Sequence, residues 1–96
     1  MTAPFHPGQP AAAAIRATID RVLAQVNALS QGGPGWTRPS YSDLESQAHA
    51  LIEAEAAALG MEVHRDAAGN LFARLPGRDS SLTPLYCGSH LDTVAE

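Results

Sequence analysis

Large apolar residues recur at Ile15, Ile19, Val22, Leu23, Val26 and Leu29, and steps of three and four put them on one side of a helix. Arg16, Asp20, Arg21 and Gln25 fall largely on the other side, so the pattern predicts a helix over 11–29 that lays its apolar stripe on a body beneath it. Ser30-Gln31-Gly32-Gly33-Pro34-Gly35 ends that helix, because proline has no backbone donor and glycine packs nothing. Ser42-Asp43-Leu44-Glu45 has the form of a capping box, in which the serine hydroxyl takes one orphan amide hydrogen and the glutamate reaches back to another. A second helix therefore starts here, runs through Leu44, Ala48, Leu51, Ile52 and Leu59, and stops at Gly60, which suits the left-handed backbone of a helix end.

From Met61 the period changes. Met61, Val63 and Arg65 alternate with Glu62 and His64, and 70–75 forms a second short run after a turn containing Asp66 and Gly69-Asn70, which together predict a hairpin. A polar loop covers 76–83. Leu85-Tyr86-Cys87, stopped by Gly88, has the compact apolar form of a buried inner strand, which makes Cys87 a small core residue rather than a nucleophile. The order helix, helix, strand, strand, strand predicts an α/β layer structure, with the two N-terminal helices packed on a mixed sheet. An inner strand needs neighbours on both sides, and three strands are too few to provide them. The expectation is a flexible lead-in over 1–10, with Pro4, Pro7, Gly8 and Pro10, and a truncated N-terminal portion of a larger domain over 11–96.

Charge narrows the partners. The chain has 96 residues, six arginines and no lysine against ten acidic residues, for a net charge of −4, which argues against gripping nucleic acid or anionic lipid. The most apolar stretch, 11–29, is broken by Arg16, Asp20 and Arg21, so it predicts no membrane span. No basic segment precedes an apolar run at the N-terminus, so no secretory signal is expected and the cytoplasm is the expected compartment. A single cysteine can form neither an internal disulfide nor a zinc knuckle.

Candidate chemistry gathers at Gly88-Ser89-His90-Leu91-Asp92-Thr93. In an extended backbone His90 and Asp92 point the same way, about 6.6 Å apart at a rise of roughly 3.3 Å per residue. A histidine that binds a divalent metal through one ring nitrogen usually donates the other N–H to a carboxylate, which fixes the tautomer. The end of a strand in an open α/β sheet is also where ligands collect. His-x-Asp alone is commonplace, and His64-Arg65-Asp66 has the same spacing with no role assigned. Ser89, His90 and Asp92 have the residue types of a hydrolase triad, but adjacent serine and histidine face opposite sides of a strand. His64-Arg65-Asp66 with Asn70 departs from a kinase loop in spacing, and the chain has no lysine. His6 and His49 are expected in solvent, Trp36 is expected to anchor its loop, and Gly32-Gly33-Pro34-Gly35 lacks the ending of a phosphate cradle.

Thr37-Arg38, Tyr41-Ser42, Asp66 with Gly69-Asn70-Leu71, Gly77 and Gly88-Ser89-His90-Leu91-Asp92-Thr93-Val94 resemble the opening of the binuclear metal-dependent amidohydrolases that include N-carbamoyl-L-amino-acid hydrolase and allantoate amidohydrolase. These belong to the wider aminoacylase and carboxypeptidase superfamily. The resemblance covers 15–94 and implies a partial zinc-peptidase-like catalytic domain. By position it makes His90 a ligand of one metal ion and Asp92 the acidic catalytic-site residue that supports it, with Asp66, Gly69 and Asn70 a structural turn. It further implies two divalent cations (zinc, manganese, cobalt or nickel), a small ureide or amide substrate, and a homodimer with a separate lid domain at full length. The family's Gly-Gly and Asp-Gly stretch, paired glutamates and later histidines are absent here, and Ala56-Ala57-Ala58 stands where a Trp-Met pair is common. A catalytic zinc takes about three protein ligands, so the 96 residues alone are expected to be inactive, and to aggregate through an open strand edge. The alternatives are a peptidase or aminoacylase of the same superfamily, and a non-enzymatic interaction module whose Ala-rich helices pair with a partner.

Overall fold

The computed structural model describes residues 11–94, so the lead-in expected over 1–10, with His6, lies outside the described residues. Two helices, α1 (Ala12–Ala28) and α2 (Asp43–Ala58), precede two strands, β1 (Glu62–Arg65) and β2 (Leu71–Arg74). None of the helices is long and apolar enough to cross a membrane among the described residues.

Local chemistry sets the ends of α2. The Ser42 hydroxyl accepts the Glu45 amide at 3.2 Å, and Asp43 and Glu45 place negative charge in the first turn, where the helix dipole favours it. The Glu45 carboxylate accepts the amide of Tyr41 at 2.8 Å, one residue ahead of the usual capping-box partner, because the Ser42 amide already donates to the Pro39 carbonyl at 3.2 Å. At the other end Gly60 has φ +79. Its amide and that of Met61 donate to the carbonyls of Ala57 and Ala56, each at 3.0 Å, the paired bonds of a Schellman ending.

β1 and β2 form an antiparallel hairpin with Val63 opposite Ala73 and His64 opposite Phe72. The His64 and Phe72 rings stack with centroids 4.7 Å apart. Asp66 builds the turn: its Oδ1 accepts the amides of Ala68 at 3.0 Å and Asn70 at 2.9 Å, and its Oδ2 accepts the Asn70 side-chain amide at 2.9 Å. Gly69 takes φ +88 there, where a side chain would be strained. α2 packs on both strands, and Arg65 of β1 pairs with Glu53 of α2 at 2.5 Å.

Three sequence expectations are corrected. The sheet is a two-stranded antiparallel hairpin, not a mixed sheet. α2 alone covers it, whereas the stripe of α1 stays open: Ile15, Ile19 and Leu23 are 47–55% exposed and only Val26 is buried. One helix suffices to cover two short strands, so α1 is held instead by an ion pair from Arg21 to Glu55 of α2 and by Arg38. Leu85-Tyr86-Cys87 is irregular chain, with Leu85 and Tyr86 at 101% and 80% exposure. An apolar run becomes an inner strand only when partners exist for its backbone, and β1 and β2 pair with each other. Cys87 is consequently an exposed free thiol rather than a core residue.

Candidate functional site

Arg38 organises the region around His90. Arg38 is 4% exposed, yet among the described residues no carboxylate pairs with it. The guanidinium donates instead to three backbone carbonyls: Val26 at 2.7 Å and Leu29 at 2.6 Å, both at the end of α1, and Leu91 at 2.6 Å. The last carbonyls of a helix have no partners within it and carry partial negative charge, so a cation there fits both needs. Backbone bonds reinforce the clamp, since the Arg38 amide donates to the Thr93 carbonyl and the Thr93 amide to the Arg38 carbonyl, each at 2.9 Å. These two bonds form an isolated antiparallel bridge. The loop before Arg38 is fastened by the Ser30 hydroxyl, which accepts the Thr37 amide at 2.9 Å. Trp36, expected to anchor this loop, is 55% exposed; the small polar contacts have taken that role.

The clamp carries Asp92 and His90 with it. Ser40 Oγ donates to Asp92 Oδ2 at 2.6 Å, while Asp92 Oδ1 lies 3.0 Å from His90 Nδ1. The Asp92 carbonyl lies 2.9 Å from the same nitrogen. Both neighbours of Nδ1 are acceptors, so this nitrogen carries the proton, and in the neutral ring Nε2 keeps its lone pair. The Ser40 hydrogen bond, with the His90 contact adding to it, holds the Asp92 carboxyl below its ordinary value. His90 sits in irregular chain rather than at a strand end, which corrects the expected setting, and its side chain is 80% exposed. The spacing along an extended strand thus understates how close the pair comes.

His90 and Asp92 line an open cleft of about 650 Å³ together with Glu45 and His49 of α2 and Gly69 and Asn70 of the hairpin turn. His49, expected in solvent, is half-buried against this cleft. The donor set suits a metal at one position: a ring with Nδ1–H committed to a carboxylate is the usual state of a ligating histidine. Among the described residues no group of three or more His, Cys, Asp or Glu comes together to hold a cation, so these residues fit a single ligand and its support. The sequence pointed to His90 and Asp92 but not to Arg38 or Ser40 as parts of one site. Thr37-Arg38 was visible only as part of a family pattern, and nothing in the local sequence distinguishes Ser40.

Comparison with known proteins agrees with the motif. The chain is 33% identical over 76 residues to an N-carbamoyl-L-amino-acid amidohydrolase of Paenarthrobacter aurescens, covering 79% of this chain and 18% of that protein. It is 38% identical over 72 residues to an allantoate amidohydrolase of Bacillus subtilis, covering 75% and 17%. Against a ureidoglycolate hydrolase of Oryza sativa subsp. japonica it is 38% identical over 61 residues, covering 64% and 13%. The chain thus spans less than a fifth of the length of these relatives. No family model and no solved structure matches it.

Proposed function

This chain is a sequence relative of the N-carbamoyl-L-amino-acid and allantoate amidohydrolases, and from that premise we propose that it is the N-terminal portion of a metal-dependent hydrolase. Its substrate class is a small molecule with a C–N bond next to a carbonyl: an N-carbamoyl amino acid, allantoate or a related ureide. The observation that carries this reading is the position of His90 Nδ1 between two acceptors, the Asp92 carbonyl at 2.9 Å and carboxylate at 3.0 Å, which assigns the ring proton to Nδ1 and leaves Nε2 as the ring's donor atom. In this reading His90 holds one of two divalent cations and Asp92 fixes the ring's tautomer and direction. A bound cation would supply Lewis-acid polarisation of the carbonyl under attack and of the attacking water. The remaining ligands and the proton acceptor would come from other segments of a longer, cytoplasmic, homodimeric enzyme.

The test is turnover by the longer enzyme that contains these residues, with N-carbamoyl-L-amino acids, allantoate and ureidoglycolate, each with added zinc or manganese. One of these substrates is expected to be hydrolysed. Asp92→Ala is expected to reduce kcat/KM by about 10–100-fold, the usual loss when a ligand's supporting group is removed, and His90→Ala by more. A folded His90→Ala protein with undiminished turnover would overturn the reading. The 96 residues by themselves are expected to show no turnover, since a catalytic zinc takes about three protein ligands.

A further inference from the structure

Ser40 and Asp92 are 52 positions apart, yet the serine hydroxyl reaches Asp92 Oδ2 at 2.6 Å. The Arg38–Thr93 bridge explains the meeting. It is antiparallel, so residues running forward from Arg38 approach residues running back from Thr93; that register sets Pro39 across from Asp92, and Ser40, one step further on, reaches the carboxylate with its side chain. The contacts then divide the carboxylate: Oδ2 takes the serine, and Oδ1 lies 3.0 Å from His90 Nδ1. Asp92 is more than a third exposed, and a carboxylate at such a position with one partner could swing about its side-chain torsions into water. A second partner on the far oxygen removes that freedom.

We propose that Ser40 is a positioning residue, whose hydroxyl holds the Asp92 carboxylate so that Oδ1 stays on His90 Nδ1 and the ring keeps Nε2 free for a cation. The inference rests on the reading of His90 as a ligand and adds a residue to its support. Ser40 is itself exposed, and the clamp made by Arg38 does not use its hydroxyl. Removing the hydroxyl therefore leaves the fold intact and releases the carboxylate.

The experiment labels histidine with ¹⁵N in the longer enzyme that contains these residues, at about pH 8.5, where an ordinary imidazole is neutral. A His90→Gln variant identifies the His90 resonances. The protein as it stands and Ser40→Thr, which keeps the hydroxyl, should show the widely separated ring shifts of a single Nδ1–H tautomer. In Ser40→Ala the two shifts should converge as tautomers mix, with the melting temperature and the other histidine resonances unmoved. Affinity for zinc alone, read by competition with a chromogenic chelator, should fall about 10-fold in Ser40→Ala and recover in Ser40→Thr. A Ser40→Ala protein that keeps the single Nδ1–H tautomer would overturn the inference, because the Asp92 carbonyl would then suffice to hold the ring. Convergence of the ring shifts in a chain that binds no zinc would support Ser40's role while removing the ligand reading beneath it.

Discussion

At the scale of the residue, single polar side chains replace what a large core would otherwise do. Asp66 ties three donors of the hairpin turn to one carboxylate. The Asn70 side chain first, then the backbone amides of Asn70, Ala68 and Gly69, hold its carboxyl below the ordinary 3.8. A carboxyl whose value is lowered on folding contributes stability that is complete above the unfolded value and is lost as the pH falls through the folded one. The Ala68 and Asn70 amide resonances should therefore hold their turn positions at neutral pH and move towards unfolded values as acidification passes below about pH 4. In Asp66→Asn that acid-driven movement should be absent; if it persists unchanged, another group controls the turn. The roles of Asp66 and Gly69 were legible from sequence because the bonds that Asp66 makes in the turn all fall within five consecutive residues, 66–70.

Among the elements, α2 and the hairpin could be read directly, and α1's packing could not. The Ser42 cap, the Gly60 ending and the strand alternation are all decided within a few residues. Where α1 rests depends instead on Arg38, nine and twelve positions after the carbonyls it takes and 53 before the third. An arginine on its own suggests an acidic partner, and nothing in sequence announces three carbonyls in its place. Arg38→Met would leave those carbonyls without their charged donor, and hydrogen bonds to charged groups contribute about 1.5–3 kcal/mol each. Allowing for partial access of water to the freed carbonyls, the loss should be on the order of 3 kcal/mol in urea unfolding. Arg38→Lys should recover less than half, since an ammonium cannot spread its donors over the span of a guanidinium fork. A loss under about 0.5 kcal/mol, typical of surface changes, would show that the clamp is not what joins α1 to the segment around His90.

For the whole molecule, the apolar surface matters most. Only Val26, Ala48 and Ala56 form a buried apolar core among the described residues, and Leu85, Tyr86 and Val94 stand at 80% exposure or more. The apolar runs over 15–29 and 85–87 were visible in the sequence, but where they pack is decided by partners that no local pattern specifies. The site has the same character: His90, Asp92 and their supports are assembled, while the described residues gather no group of three or more side chains that could hold a cation. The central claim is that His90 offers Nε2 to a cation while Nδ1 keeps its proton on Asp92. Its most direct test is a zinc titration of the longer enzyme that contains these residues, followed on the ¹⁵N resonances of His90. A large shift at Nε2 that saturates with zinc is expected, with Nδ1 still protonated. An Nε2 resonance that stays in place at saturating zinc would contradict it.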